Sequence, residues 1–572
     1  MGLLLRWLGV AGIVVAASEA RADDRVEIIP APRAGEPTVS IDNCLGGQGV
    51  AHCFSTLHVP ASYADSLRAR RAGPEGSGAL RCDGARAAAD GDSPPGVTPP
   101  TYAQLYNLPT TAIGAGKVVA IVDACSDPTI VSDVQAYRAQ FGLAQLPECG
   151  GADGNAPTPG DPNPCIGVVS QRGDDNLGPS DSKWGAEIAL DVDMVSAACP
   201  ECSIVLVEAD SPNWSDLTAA VTRAVSFGPN AVSNSYGAPE DNDAYNASFY
   251  ENPGILFTVA SGDSYYDNEA VLPSDNAQLV PNFPSSVPTV LSVGGTDVRP
   301  SATSPRGYEE TPWGQGSFGT TSGCSSEFTK PTYQNPLDQG TCVMRADVDV
   351  AAYAGDIAIY VGGGWTSVGG TSAAAPFVAG VLTRVGLSDR SNAFFYSHGA
   401  QLSFFDVTEG TNDPLGVCTD VMCTAGKGWD GPTGWGTPNG DALAALAASS
   451  APSGGTEPVG GGDAGAGEGG ASEKHPTTDL DAGSPLAAND ASTLSNEGNS
   501  GVGLTANADA GTGSGESAAG SAPSVPSYAQ PQGCGCVAAG ATVQAPLPAV
   551  AGVALGFAFV RVRRRRSRRT GS

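Results

Sequence analysis

The sequence predicts an α/β fold, a doubly wound and mainly parallel sheet flanked by helices, and two observations carry that prediction. Short apolar runs rich in strand formers recur at KVVAIVDA (117–124), SIVLVEA (203–209), NAVSNSYG (230–237), ILFTVASGD (255–263) and TVLSVGGT (289–296). Between several of them lie amphipathic helical patterns such as DLTAAVTRAVSFG. Strand, helix and strand at this spacing build parallel units whose helices cover the faces of one sheet. Chemistry in such a sheet collects beyond the carboxyl ends of the strands, so the residues to test stand just after these runs.

Residues 101–448 carry this pattern and are read as one folded domain. Ahead of them, MGLLLRWLGVAGIVVAASEARA joins an Arg, a short apolar run and Ala20 and Ala22 at the spacing of an export cleavage site. Residues 1–22 are therefore read as a signal peptide. Residues 23–100 form a short N-terminal segment, much of it Gly, Ala and Pro. Residues 449–530 are rich in Gly, Ala, Ser, Asp and Pro and nearly free of aromatic side chains, too little apolar surface to fold, and are read as a disordered linker. Residues 531–572 hold Cys534-Gly535-Cys536, an apolar stretch at 545–560 and seven Arg, in that order. That order resembles the MYXO-CTERM sorting tail, which implies a membrane contact through the tail until it is processed, and display on a bacterial cell surface.

The formal charge of −31 includes those seven Arg; the remainder sets 22 basic against 60 acidic side chains. Nucleic acid is a poor partner for such a surface. Protonation of carboxylates relieves its self-repulsion, which favours work in acid. Of the 14 Cys, 12 precede the tail motif, an even number that predicts disulfides in an exported chain. Neighbours in sequence suggest Cys44 with Cys53, Cys149 with Cys165, Cys199 with Cys202, Cys324 with Cys342 and Cys418 with Cys423, leaving Cys82 and Cys125, although spacing does not fix connectivity. Cys199-Pro-Glu-Cys202 would otherwise be half of a zinc site, but no second C-x-x-C or nearby His completes four ligands.

GGTSAAAP (369–376) opens the apolar helical pattern FVAGVLTRV and sets Ser372 at a helix start, near unsatisfied N–H groups and the positive dipole end. Alone, a Thr-Ser pair there would be a helix cap. A serine nucleophile needs a base, usually His. The four His are His52, His58, His398 and His475, and no His-Gly-Thr follows Asp123, which stands where a histidine triad would have its first acid. Glu187 and Asp191, in WGAEIALDVDMVSAAC, are four apart and share one helical face. Two close carboxyls take up their first proton at a raised pKa and can share it, so one accepts the serine proton while the other steadies it. Asp263, in Ser261-Gly262-Asp263, follows a strand run; as a protonated acid it would donate to an oxyanion.

Together these segments resemble the sedolisin family of serine-carboxyl peptidases: Glu187 and Asp191 in E-x-x-L-D, Asp263 in S-G-D-S, FPSSVPTVLSVGGT, and Ser372 in GGTSAAAP, in family order. The resemblance implies a subtilisin-like fold with Ser372 as nucleophile, Glu187 as base, Asp191 as its partner and Asp263, with the Ser372 N–H, as oxyanion support. It also implies one Ca2+ site, with Asp406 and Asp430 giving side-chain oxygens and Val407, Gly426 and Gly428 giving carbonyls, a mixture that suits calcium. The family usually carries a large folded pro-domain, for which residues 23–100 leave too little chain. The expected protein is a secreted, surface-displayed, monomeric endopeptidase cleaving proteins or peptides in acid. The rivals are a subtilisin-like peptidase using His398 and a catalytically silent, calcium-binding adhesion protein.

Overall fold

The computed structural model describes residues 38–42, 50–61, 94–111, 114–150, 156–174, 176–241, 243–268, 280–397 and 400–450. The proposed signal peptide, most of the N-terminal segment, the linker beyond residue 450, the sorting tail and His398 lie outside the described residues.

Twelve strands suffice to place the site: β1 (Thr38–Asp42), β2 (Thr56–Pro60), β3 (Val118–Ala124), β4 (Ile166–Ser170), β5 (Ser203–Ala209), β6 (Ala231–Asn234), β7 (Leu256–Ala260), β8 (Leu291–Pro300), β9 (Tyr308–Pro312), β10 (Val350–Tyr353), β11 (Ile357–Val361) and β12 (Gly364–Gly369). The central sheet runs β9-β8-β7-β6-β3-β5-β4, with β10 also beside β8. Its pairs are parallel except for β9 on β8. Each of the five expected runs supplies a strand to this sheet. Alternate β3 residues serve opposite faces, Val119 and Ile121 packing into one core and Val118, Ala120 and Val122 into the other. This two-sided burial explains why the strand reads as an unbroken apolar run.

Three helices matter here: α1 (Ser182–Ala198), α2 (Trp214–Ser226) and α3 (Thr371–Val385). α3 and, apart from Trp184, α1 bury their apolar residues in one core, α2 in the other, giving the expected doubly wound layers. The Asp181 side chain caps α1 by accepting from the N–H groups of Lys183 and Trp184. One expectation is corrected in detail: NAVSNSYG is not a single strand. β6 ends at Asn234 and a separate strand, Tyr236–Pro239, follows, because Ser235 turns its polar groups toward Ser372 and Asp191.

A second, antiparallel sheet has the order β1-β2-β12-β11. It attaches residues 38–42 and 56–60 to the strand that leads into α3, so part of the N-terminal segment joins the body expected from 101–448. The disulfides Cys149–Cys165, Cys199–Cys202, Cys324–Cys342 and Cys418–Cys423 are all formed, which removes the zinc alternative at Cys199. Cys53 and Cys125 are disulfide-bonded too. Their suggested partners, Cys44 and Cys82, lie outside the described residues. No described helix is long and apolar enough to cross a membrane.

α1 and α3 approach so closely at Gly380 that an added Cβ would stand 2.6 Å from Ala198 Cβ. Gly380→Val should overpack this crossing and destabilise the protein by about 1–3 kcal/mol. Thermal unfolding checks this; an unchanged Tm would mean that the crossing is looser than described.

Candidate active site

Ser372 is the second residue of α3 and is fully buried. Gly370, just before the helix, has φ 125°, a region open to glycine. A side chain there would also strike the Phe54 carbonyl oxygen and Asp263 Oδ2, at 2.3 and 2.6 Å. Within α3, Pro376 lacks the N–H that would bond the Ser372 carbonyl. The Ser235 hydroxyl lies 3.3 Å from that oxygen, but its shorter bond, 2.7 Å, is donated to Asp191 Oδ2. The Ser372 hydroxyl donates to the Ser235 carbonyl at 3.2 Å and accepts from the Phe54 N–H at 3.1 Å.

Glu187 and Asp191 share the face of α1 that the i, i+4 spacing requires, and both are fully buried. Burial pushes the Glu187 carboxyl well above the ordinary range, and the charge of Asp123 adds to the rise. The hydroxyls of Ser372 and Ser55 favour its charged form. Neither Glu187 oxygen closes a hydrogen bond with a described group. Such long contacts are usual before a substrate tightens the site. Asp191 is pushed up by burial, then by Asp123 and Glu187, and is opposed by the Ser235 hydrogen bond.

Asp263 Oδ1 accepts from the Thr371 N–H and the Thr371 hydroxyl, both at 2.9 Å. These bonds fix the carboxyl beside the start of α3, with Oδ2 against Gly370 and the Phe54 carbonyl oxygen. The Ser372 N–H donates to that same carbonyl oxygen at 3.0 Å. The structure thus brings all four sequence-read residues around one buried hydroxyl. Among the described residues no histidine is hydrogen-bonded to Ser372: the His52 ring packs on Phe54, and His58 Nδ1 lies 2.6 Å from Asp356.

Asp123 takes a part that the sequence did not give it. It is the last residue but one of β3, directly opposite Glu208 in the parallel register, and both are fully buried. Burial and the Glu208 charge raise Asp123 to about 8. Glu208 is itself raised to about 8, chiefly by burial. The base pair therefore sits in a cluster of four carboxyls that resists taking up negative charge. The adjacency comes from strand register, which no local motif encodes; the only signal was an acid at a strand end.

Residues 173–390 match the model of the subtilase family, Peptidase_S8. Kumamolisin from Bacillus sp. (strain MN-32) is 31% identical over 379 residues, covering 61% of this chain and 63% of that protein. The chain is a homologue of the sedolisin peptidases. Sedolisin from Pseudomonas sp. (strain 101) is 27% identical over 375 residues, covering 60% of each, and human tripeptidyl-peptidase 1 is 27% identical over 399 residues, covering 61% of this chain and 64% of that protein. This sedolisin homologue thus spans less than two thirds of the length of these relatives. The solved structure of Pseudomonas sedolisin (serine-carboxyl proteinase) complexed with two molecules of pseudo-iodotyrostatin shares the fold, with TM-score 0.53 at 24% identity over 63% of this chain and all of that one. These homologues are serine-carboxyl peptidases, hydrolases of the same subtilisin-like fold.

The remaining sequence-read residues cluster near the end of the domain. Asp406 Oδ2 accepts from the Gly428 N–H at 3.0 Å, and Asp430 Oδ2 from the Gly426 N–H at 2.9 Å, so the two segments interlock. Asp430 is fully buried and raised to about 7, mainly by burial, with the Asp406 charge contributing. Asp430 Oδ1 also accepts from the Thr433 N–H and hydroxyl, at 2.9 and 2.8 Å, and two carboxylates of this kind are the hard-oxygen donors that calcium takes. At the nearby trio Cys418, Asp420 and Cys423 the disulfide leaves no thiolate for a metal.

Asp123→Asn keeps the volume and replaces a carboxyl that, raised to about 8, is protonated in acid. The ascending limb of kcat/KM against pH should therefore stay in place in the acidic range. A limb that moves toward acid would show that Asp123 carries charge while the pair ionises and would contradict its raised value.

Proposed function

We propose that this sedolisin homologue is an exported, surface-displayed endopeptidase that cleaves proteins or peptides at acidic pH by acyl transfer through Ser372. The observation that carries this reading is the convergence of Ser372, Glu187, Asp191 and Asp263 from three separate elements on one buried point, with no histidine bonded to the hydroxyl among the described residues. Glu187 takes the hydroxyl proton as Oγ attacks the carbonyl carbon, and Asp191, tied to Ser235, steadies Glu187. The Ser372 N–H and a protonated Asp263 support the oxyanion. A buried, dry site strengthens each of these interactions. Activity requires one charge on the Glu187 and Asp191 pair while Asp263 keeps its proton, so it rises with the first ionisation of the pair and falls as Asp263 ionises. Export is supported by the leader pattern and the formed disulfides.

Calcium would be held by the carboxylates of Asp406 and Asp430 and the carbonyls of Val407, Gly426 and Gly428. Its role there is structural: it neutralises two acids and pins the loops that carry them.

A peptide-library digest across pH should show an acidic optimum. Ser372→Ala and Glu187→Gln should each lower kcat by at least about a hundredfold, the scale of general-base catalysis. An optimum above neutrality, or full activity in Glu187→Gln, would sink the assignment. Chelation of calcium should lower Tm, and Asp430→Asn should abolish that sensitivity; a wild-type Tm indifferent to chelator would remove the metal from the account.

A further inference from the structure

The segment that carries Asp263 is held between two neighbours. On one side stands Thr371, whose N–H and hydroxyl bond Asp263 Oδ1 and whose hydroxyl oxygen also accepts from the Gly262 N–H at 3.0 Å. On the other side run residues 319–321. The Thr321 N–H donates to the Gly262 carbonyl at 2.8 Å, the Gly319 N–H to the Asp263 carbonyl at 3.0 Å, and the Tyr265 N–H to the Gly319 carbonyl at 2.9 Å. The Thr321 hydroxyl oxygen accepts from the Ser264 N–H at 2.9 Å. The backbone of Asp263 therefore moves only as far as residues 319–321 move.

Tyr265 locks that second neighbour in place. Gly319 belongs to a short hairpin in which Gly314–Gln315 pairs with Phe318–Gly319. The Tyr265 ring lies across both outer glycines. A Cβ added at Gly319 would collide with ring Cε1 and stand 2.7 Å from Cζ, its three nearest atoms all belonging to this ring, and one at Gly314 would stand 3.3 Å from Cε1. The Tyr265 hydroxyl donates to the Gly316 carbonyl at 3.1 Å, and the residue is buried. Tyr265 holds this place at φ 64°, a left-handed conformation that is costly for a bulky residue. Such a conformation persists only where the surroundings over-determine it, and it concentrates at working sites. Here the ring seated on two glycines offsets the strain of its own backbone.

We propose that Tyr265 is a positioning residue for the reaction: its ring, wedged over Gly314 and Gly319, holds the hairpin against residues 262–265 and so fixes the Asp263 carboxyl where the oxyanion forms. The inference rests on the peptidase reading above and adds the group that sets the geometry of its oxyanion support. Thr371 grips one oxygen of that carboxyl, Oδ1, and a shift of the backbone at 262–265 would swing Oδ2 about this grip. Oxyanion support is realised in the transition state, so its loss lowers kcat and leaves KM little changed. A side chain that merely filled a gap would act on stability instead. The hydroxyl bond to Gly316 lies at the hairpin turn, away from Asp263, so the ring carries the effect.

The test uses the full chain in acid, with kcat and KM on a reporter peptide, affinity for a peptide aldehyde and Tm measured for each variant. Tyr265→Gly suits the backbone but removes the wedge; it should lose at least about tenfold in kcat and in aldehyde affinity, with KM within about twofold. Tyr265→Asn, which also accepts a left-handed φ, should do the same if glycine loosens the turn too far. Tyr265→Phe keeps the ring and should retain kcat within about threefold, the scale of one neutral hydrogen bond. Gly319→Ala should cost as much as Tyr265→Gly in the wild-type background and nothing further once Tyr265 is glycine, because the added methyl meets the ring. Wild-type kcat in Tyr265→Gly, even with a lowered Tm, would overturn the inference and leave the peptidase reading standing. So would a Gly319→Ala penalty equal in both backgrounds. A wild-type protein that neither cuts the reporter nor binds the aldehyde would overturn both.

Discussion

The structure depends on the close crossing of two helices on one face of a parallel sheet. Gly380 lets α3 lie against α1 at Ala198, and one turn geometry then sets the hydroxyl of Ser372 above the face that bears Glu187 and Asp191. Because both helices are buried along most of their length, the carboxyls inside the crossing are shielded from bulk water. That shielding makes proton transfer among them chemically useful: each proton has few alternative places to go, and each charge is felt by its neighbours.

The arrangement is held by polar groups that each serve more than one partner. Thr371 binds Asp263 through its N–H and its hydroxyl, tying the turn after β7 to the start of α3. Ser235 interrupts what would have been a continuous strand and reaches both Asp191 and the Ser372 backbone, where Pro376 has withdrawn the usual helical donor. The sheet thereby delivers three polar groups, Asp123, Ser235 and Asp263, from the ends of three strands to one place, as the doubly wound architecture allows.

Much of this was legible in the order of residues. Glu187 and Asp191 could be read as one helical face because the relation is local, four residues on a periodic apolar background. The four disulfides seen between described cysteines join sequence neighbours, which is why proximity along the chain found them. What escaped was non-local. Asp123 meets Glu208 through strand register, and residues 51–60 meet Tyr236–Pro239 and β12 across spans of chain that carry no shared pattern. A short stretch such as HCFSTLHVP also lacks the length for periodicity to declare itself, so its place beside Ser372 emerged only from the fold.

The account's central claim is that carboxyl groups alone perform both proton transfer and oxyanion support at Ser372. A crystal structure of the acid-incubated protein with a peptide aldehyde tests it most directly. The account expects a covalent adduct on Ser372 Oγ, with Glu187 within hydrogen-bond distance of that oxygen and Asp263 within hydrogen-bond distance of the hemiacetal oxygen. An adduct whose oxygen turns away from Asp263, or whose Ser372 oxygen is met by a histidine, would contradict it.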